Sequence, residues 1–127
     1  MEEKILVLDD SEGMLKLLAH WLKGAGYNVS VTTSPAEGLK MLRRQQYDLL
    51  ILDVVMDEMS GFEVLAQLRA DEATSKVPVM IISGKKKYKD IPPAERILFD
   101  DFLQKPFEKE AFLGRVEAAL GKVWSPN

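Results

Sequence analysis

The chain has 127 residues, of which 46% are hydrophobic and 29% charged, and its formal net charge is -3 at pH 7. This length fits one domain with its own core, and the acidic balance gives no basic field that would attract nucleic acid or an anionic membrane. The absence of cysteine excludes disulfides, thiolate metal sites and thiol redox motifs. The charged start precedes an apolar run too short for a signal peptide or a membrane span, so we expect cytoplasmic residence.

Apolar runs alternate with helical patterns along the chain, which predicts βα units and a parallel sheet. The predicted strands are residues 4–8, 27–32, 47–52, 77–82 and a short one at 101–104. The first helix is predicted to end at Gly24, Ala25 and Gly26, and the second to open with Ser34 as N-cap and Pro35 behind it. Further helices are predicted over residues 61–68 and 108–120.

Residues 84–99 break this regular pattern. Lysines at positions 85, 86, 87 and 89 surround Tyr88, and the pair Pro92 and Pro93 prevents a helix from running through the segment. Pro93 is predicted to start a short helix, so the fourth helix is expected to be short or irregular. Because the chain is acidic overall, the lysine run is interpreted as a solvated loop beside an acidic cleft, without direct binding of nucleic acid.

Polar side chains follow four of the predicted strands. Asp9 and Asp10 follow the first, Asp53 the third, Ser83 the fourth and Lys105 the fifth. In an open parallel sheet these strand ends lie side by side, so the five side chains are expected to meet in one cleft. Three carboxylates, one hydroxyl and one ammonium group indicate a site for a hard divalent cation and a phosphoryl group. Asp53 has two options at this point: metal ligand only, or also nucleophile toward phosphorus.

Each of these residues alone has an ordinary structural interpretation. Asp9 and Asp10 precede a helix, where acidic residues commonly serve as an N-cap and as partners of the helix dipole. A lone Asp53 after a strand is typical of a turn, and a lone Ser83 is typical of a cap. The functional interpretation depends on the occurrence of the whole set at strand ends in one βα chain.

The order and spacing of these residues resemble a response-regulator receiver domain of two-component signalling over nearly the whole chain. The matching motifs are Leu8-Asp9-Asp10, Asp53, Met56 with Met59-Ser60-Gly61, Ser83-Gly84 and Lys105-Pro106-Phe107. The resemblance implies a flavodoxin-like, doubly wound α/β fold with a five-stranded parallel sheet in the order 2-1-3-4-5 and about five helices. It implies a receiver domain over residues 1–121, with residues 122–127 as a tail or the start of a linker.

The resemblance also assigns the metal site. Asp53 would be the phosphoacceptor and would bind Mg²⁺ together with Asp10. The backbone carbonyl of Val55 would be the third protein ligand, and Asp9 would act on the ion mostly through water.

The remaining roles implied by the resemblance concern the phosphoryl group and the response to it. Ser83 and Lys105 would hold phosphoryl oxygens. Ser83 and the aromatic residue Phe102 would form a conformational switch. The peptide bond between Lys105 and Pro106 is expected to be cis.

These assignments predict a signalling domain whose only catalysis is its own phosphoryl transfer and slow dephosphorylation. Its partners would be a sensor histidine kinase or phosphotransfer protein and an unidentified downstream protein or output domain, with no membrane contact and a monomeric or weakly dimeric state. A phosphorylation-independent binding module with the same fold is the alternative, motivated by the unusual residues 84–99. An aspartyl-nucleophile phosphatase is disfavoured, because Val55 stands where such enzymes carry an acid/base aspartate.

Overall fold

The computed structural model describes residues 2–56 and 59–121, which form one parallel sheet flanked by helices. The strands are β1 (Lys4–Leu8), β2 (Asn28–Thr32), β3 (Leu49–Asp53), β4 (Val79–Ser83) and β5 (Asp101–Gln104). The helices are α1 (Glu12–Gly24), α2 (Pro35–Arg44), α3 (Gly61–Ala70), the one-turn α4 (Pro93–Arg96) and α5 (Lys109–Ala119), with a further 3-10 turn at Tyr88–Asp90. All strand pairs are parallel and the order is β2-β1-β3-β4-β5, so the predicted fold is confirmed.

Side-chain caps explain where three helices begin. The hydroxyl groups of Ser11, Ser34 and Ser60 each accept a hydrogen bond from the backbone N–H three residues later, at 3.2 Å. Each serine thereby satisfies one of the free N–H groups of a helix start. The prediction of Ser34 as an N-cap followed by Pro35 is confirmed. The acidic pair before α1 does not provide its cap, because Ser11 does.

The core lies on both faces of the sheet. β3 and β4 are buried along their whole length, and β1 is buried except at its first residue. Leu39 of α2 and Leu65 of α3 pack on one face, while Leu18 of α1 and Phe112 of α5 pack on the other. Burial on both faces explains why these strands have continuous apolar sequences instead of alternating ones.

Several predicted element boundaries were wrong by one or two residues. The strands predicted at 27–32, 47–52 and 77–82 begin at Asn28, Leu49 and Val79, and the apolar residues before the first and third of them bond to the preceding connection instead of the sheet. For example, the N–H of Val77 donates to the carbonyl of Thr74. The helix predicted over 61–68 continues to residue 70, and the one predicted over 108–120 is confined to Lys109–Ala119.

Two consequences for the sequence predictions follow from the fold. β3 and β4 extend to include Asp53 and Ser83, so these polar residues are the last residues of their strands and not the first after them. α4 has only four residues, as the two prolines predicted, and it begins at Pro93.

The predicted tail at 122–127 lies outside the described residues. Among the residues described, no helix has both the length and the apolar character needed to cross a bilayer.

Candidate functional site

Three aspartates meet at the carboxyl end of the central strands. β1 and β3 are neighbours, with Leu8 in register with Leu52, so the residues that follow both strands share one edge of the sheet. One carboxylate oxygen each from Asp9, Asp10 and Asp53 lies within 4.8 Å of the other two. The topology thus brings together side chains that are more than 40 residues apart in sequence, as the sequence analysis predicted.

Lys105 supplies the positive charge of this cleft. Its Nζ lies 2.9 Å from Oδ2 of Asp9 and 3.4 Å from Oδ2 of Asp53. The backbone N–H of Lys105 donates to the carbonyl of Ser83 at 2.7 Å, which fixes the start of the chain after β5 against the end of β4. The peptide bond from Lys105 to Pro106 is cis, the isomer that the family resemblance implies.

Asp9 and Asp10 have different environments although they are adjacent. The side chain of Asp9 has no solvent exposure, and both its oxygens are occupied: Oδ1 accepts from the N–H of Ser11 at 2.9 Å and Oδ2 from Lys105. Asp10 is exposed, and no hydrogen bond reaches its carboxylate from the described part of the chain. Asp10 therefore has both oxygens available to a ligand in the cleft.

The electrostatics of Asp53 reflect its buried position. Burial raises the pKa of the Asp53 carboxyl group above its ordinary value, and the neighbouring negative charge of Asp9 adds to this effect. The N–H of Val55, which donates to Oδ1 at 3.0 Å, and the ammonium group of Lys105 act in the opposite direction. Because the net effect is a raised pKa, a further cation beside Asp53 would stabilise its ionised carboxylate.

The donor set fits a hard divalent cation. It consists entirely of oxygen, and among the described residues Lys105 supplies the one ammonium group that pairs with these carboxylates, at Asp9 and Asp53. Mg²⁺ prefers a few carboxylate oxygens completed by water, and the exposed Asp10 beside the half-open cleft leaves room for both. The ion would offset the burial and, to a lesser extent, the repulsion from Asp9 that raise the pKa of Asp53.

Ser83 lies beside this cleft at the end of β4. It is fully buried, and its Oγ accepts a hydrogen bond from the backbone N–H of Lys86 at 2.8 Å. The hydroxyl proton remains available for donation, because this bond uses Ser83 only as an acceptor. The carbonyl of Ser83 also accepts from the side chain of Gln104 at 2.9 Å, which joins β4 to β5.

Phe102 lies on the same face of the sheet as Ser83. It is in register with Ile81, two residues before Ser83, and residues two apart in a strand point to the same side. Its ring packs against Tyr88 and Phe99, with centroids 5.8 and 6.3 Å apart.

Two contacts of this region had not been predicted. The sequence places Tyr88 within the lysine run, and the one signal of its contacts is that an aromatic residue stands among four lysines. Arg69 donates to the carbonyls of Ser75, Val77 and Leu98 and to Asp100, so it joins α3 to the loops before β4 and β5. A single basic residue in the last turn of a helix gives no sequence signal for so many partners.

The sequence matches known proteins over nearly its whole length. The family model of the response regulator receiver domain matches residues 5–117. The transcriptional regulatory protein RprY of Bacteroides fragilis is 33% identical over 125 residues, which are 97% of this chain and 52% of RprY. The transcriptional regulatory protein GlrR of Escherichia coli is 36% identical over 116 residues, which are 91% of this chain and 26% of GlrR. The chain thus spans about half of one relative and about a quarter of the other.

The structure is also similar to solved structures. The chemotaxis protein CheY4 of Vibrio cholerae has a TM-score of 0.85 and 26% identity, covering 94% of this chain and 99% of CheY4. The receiver domain of the sensor histidine kinase PA1611 of Pseudomonas aeruginosa has the same fold, with a TM-score of 0.85 and 21% identity, covering 95% of this chain and 99% of that domain. The PA1611 structure has a magnesium ion coordinated in its active site cleft.

Proposed function

The chain belongs to the response regulator receiver domain family, and we propose that its Asp53 accepts a phosphoryl group from a cytoplasmic histidine kinase or phosphotransfer protein. The observation that carries this proposal is the position of Lys105, whose ammonium group contacts both Asp9 and Asp53. A carboxylate nucleophile, a further carboxylate cluster and a positive charge within hydrogen-bonding reach are the parts that phosphoryl transfer requires.

The metal in this proposal is Mg²⁺. Asp10 and Asp53 would hold it directly, with the backbone carbonyl of Val55 as the third protein ligand and Asp9 acting through water. When bound, the ion supplies positive charge to phosphoryl oxygens. The burial of Asp9 and its bond to Lys105 support an indirect role for this residue, because each of its oxygens already accepts a hydrogen bond.

Asp53 and Lys105 would have different roles in the transfer of the phosphoryl group. An Asp53 oxygen would attack phosphorus while the bond from phosphorus to the donor's imidazole nitrogen breaks and its electron pair stays on that nitrogen. Lys105, already 3.4 Å from Asp53, would neutralise one phosphoryl oxygen. Ser83 would donate a hydrogen bond from its hydroxyl group to another phosphoryl oxygen, since the hydroxyl acts only as an acceptor in its bond with Lys86.

The response would use the residues between Ser83 and β5. Movement of Ser83 toward a phosphoryl group would disturb its bond with the N–H of Lys86 and the packing of Phe102 on the same sheet face. Such a change is a population shift between two packings, biased by one local charge. A downstream protein or output domain would recognise the changed surface.

The receiver in this proposal occupies residues 1–121, and residues 122–127 form a tail or the start of a linker. The domain acts as a monomer or weak dimer and contacts neither nucleic acid nor membrane directly. Its relatives RprY and GlrR are transcriptional regulators about two and three and a half times as long, which supports an output function located outside the receiver.

Intact-protein mass spectrometry tests the proposal. Wild type, Asp53→Asn and the control Asp90→Asn, which changes an exposed carboxylate, would be incubated with acetyl phosphate, with Mg²⁺ or with EDTA. We expect a single phosphoryl adduct on wild type and on the control, in Mg²⁺ only, and none on Asp53→Asn. An equal adduct on Asp53→Asn would refute the assignment of the acceptor.

A second donor makes a negative result informative. If wild type took no phosphoryl group from acetyl phosphate or from a panel of autophosphorylated histidine kinases, the phosphoaccepting function would be wrong. The phosphorylation-independent binding module would then stand, because its partner binding requires no change at Asp53.

A further inference from the structure

The two edges of the sheet differ in how their outward backbone groups are satisfied. At the β5 edge, the N–H of Lys105 bonds to Ser83 of β4, so in the parallel ladder Phe102 directs its own N–H and carbonyl outward. The carboxylate of Asp101 accepts from this N–H at 2.8 Å, and the guanidinium of Arg115 donates to this carbonyl at 2.9 Å. Side chains of the chain itself therefore occupy the outward groups at this edge.

The β2 edge has no such cover. The carbonyl of Thr32 accepts from the N–H of Asp9, just after β1, at 3.3 Å. Every second residue of β2 bonds to the β1 side in this way, so the backbone groups of Val29 and Val31 point outward. No hydrogen bond from the described residues reaches the outward N–H or carbonyl of either valine. β2 also lacks the proline and charged residues that commonly block a free edge, so two N–H groups and two carbonyls are open to another strand.

A groove of about 730 Å³ runs beside this open edge, between β2 and α1. Its floor consists of the apolar side chains of Leu15, Ala19 and Val31, and we call it the β2 groove. Val29, two residues earlier on the same face of β2, packs against the core, whereas Val31 is 41% exposed. Side chains alternate along a strand, so an added strand would direct every second side chain to the α1 side of the sheet, where the β2 groove suits an apolar one.

Basic side chains line the flank of the β2 groove. Lys16, His20 and Lys23 are four and three residues apart in α1, so they form one stripe along the helix. Neither lysine forms an ion pair within the described part of the chain. Glu12 is the one acidic residue among the described residues that line the groove, so their formal charge is +1 with His20 neutral, whereas that of the whole chain is -3. The β2 groove therefore favours an acidic ligand that the chain as a whole would repel.

We propose that the open edge of β2 binds an extended acidic segment of a partner protein, which adds to the sheet as a further strand. The backbone groups of Val29 and Val31 would bond to the segment, an apolar side chain would enter the β2 groove, and acidic side chains would pair with Lys16 and Lys23. Nucleic acid does not fit, because it has no repeating N–H and carbonyl groups to complete the ladder. This inference goes beyond the proposed function, since none of the five cleft side chains lines the β2 groove.

A second copy of the chain suits this edge less well than an acidic segment. Two copies joined through β2 by two-fold symmetry would have both α1 helices on one side of the joined sheet. The stripes that contain Lys16 and Lys23 would then face each other across the junction, and like charges repel. An acidic strand brings the opposite charge to the same place.

Peptide selection tests this proposal without any phosphoryl donor. Random peptides displayed on phage would be selected on wild type, and the selected peptides would be titrated by fluorescence anisotropy against wild type and variants. Val31→Pro removes one outward N–H and keeps the ladder to β1, because that N–H does not face β1. Val31→Ala, which keeps the N–H, is its matched control. Lys16→Glu/Lys23→Glu reverses the charge of the stripe, and Lys87→Glu/Lys89→Glu is an equal change at exposed positions after β4.

We expect selected sequences rich in Asp and Glu around an apolar residue. Their affinity should fall roughly tenfold or more with Val31→Pro and with Lys16→Glu/Lys23→Glu, and much less with the two controls. Amide hydrogen exchange measured by NMR should slow at Val29 and Val31 when a selected peptide binds, because both outward N–H groups would enter a ladder.

Three results would overturn the proposal. The first is a failure to enrich acidic sequences. The second is a bound peptide that leaves amide exchange at Val29 and Val31 unchanged, a readout that holds even if Val31→Pro does not fold. The third is a wild-type dimer in sedimentation that Lys16→Glu/Lys23→Glu or Val31→Pro abolishes, which would make a second copy the occupant of the edge.

Discussion

Lys105 holds Asp9 by a 2.9 Å bond from Nζ to Oδ2, across 96 positions of sequence and the two strands β3 and β4 that separate β1 from β5. The Asp9 side chain is fully buried, and that of Lys105 is 17% exposed. One ammonium group therefore offsets much of the negative charge that β1 and β3 bring to the cleft.

Replacement of Lys105 by methionine should destabilise the apoprotein. The buried Asp9 carboxylate would lose its cation, so we expect the free energy of unfolding in EDTA to fall by about 1–3 kcal/mol. Urea titration measures this loss, and Mg²⁺ should reduce it by neutralising the same carboxylates. Lys109→Met, at an exposed position of α5, is the matched control and should change stability little; an equal loss there would point to a general effect of charge.

Replacement of Asp10 should weaken metal binding while it raises the stability of the metal-free protein. Asp10 is the exposed member of the carboxylate cluster, so Asp10→Asn relieves repulsion and should raise the melting temperature in EDTA. Addition of Mg²⁺ should raise the melting temperature of wild type and have little effect on this variant. Glu12→Gln, an exposed carboxylate in the first turn of α1, should keep the wild-type response to Mg²⁺. A Mg²⁺ response preserved in Asp10→Asn would contradict the assigned ligand.

The raised pKa of Asp53 predicts that, in the absence of metal, its ionisation lowers the free energy of unfolding as the pH rises. Because burial raises this pKa, the folded state binds more protons than the unfolded chain between the ordinary value of 3.8 and the higher folded value. The stability contributed by Asp53 thus falls as pH rises through that window, and the penalty is complete above it. We expect Asp53→Asn to be more stable than wild type near pH 7 in EDTA, with a difference that shrinks toward pH 4. Urea titrations at both pH values check the trend.

Asp71 provides a control, because its pKa is shifted in the opposite direction to that of Asp53. The N–H of Ala73 lowers the pKa of Asp71, and Arg43 lowers it further. Its favourable contribution is present above the unfolded pKa and is lost as pH falls through the folded value. Asp71→Asn should therefore be less stable than wild type near pH 7 and approach it in acid. The same trend in both variants would show that the pH response is not specific to the cleft.

Gly61 is required by a close approach of two backbones. A Cβ at this position would lie 2.5 Å from Val54 Cα and 2.6 Å from the carbonyl oxygen of Asp53, and neither atom can move without shifting the end of β3. We expect Gly61→Ala to lose about 1–3 kcal/mol in urea titration and to weaken the Mg²⁺ response. Gly114→Ala in α5 meets no atom within 4 Å and should instead gain about 0.5–1 kcal/mol.

The strand ends could be located from sequence because long apolar runs end in polar residues at only a few places. Asp53 and Lys105 were found in this way, and parallel strands bring such ends together whatever the details of packing. The direct bond between Lys105 and Asp9 could not be predicted, because it depends on side-chain conformations at two distant positions. The strand order came from the family resemblance and not from periodicity, which cannot say which strands are neighbours.

Tyr88 shows why the segment 84–99 was less predictable. Two prolines and four lysines remove the hydrophobic periodicity from which a helix and its inward face are identified. The contact of Tyr88 with Phe102 depends on the route of the backbone after Ser83, including the bond from Lys86 to the serine hydroxyl. Such a bond is local in space, yet no residue type in the segment indicates it.

The bonds of Arg69 have a consequence for how this protein can diverge. The segment 84–99 is tied at its start by the Ser83 hydroxyl and at its end by Arg69, which binds the carbonyl of Leu98 and, just beyond the segment, the carboxylate of Asp100. Between these ties it contains only two single turns. Changes of charge or of aromatic groups there leave the anchors and the aspartate cleft in place, so the surface of this segment can diverge while the end of the sheet that holds the three aspartates is preserved.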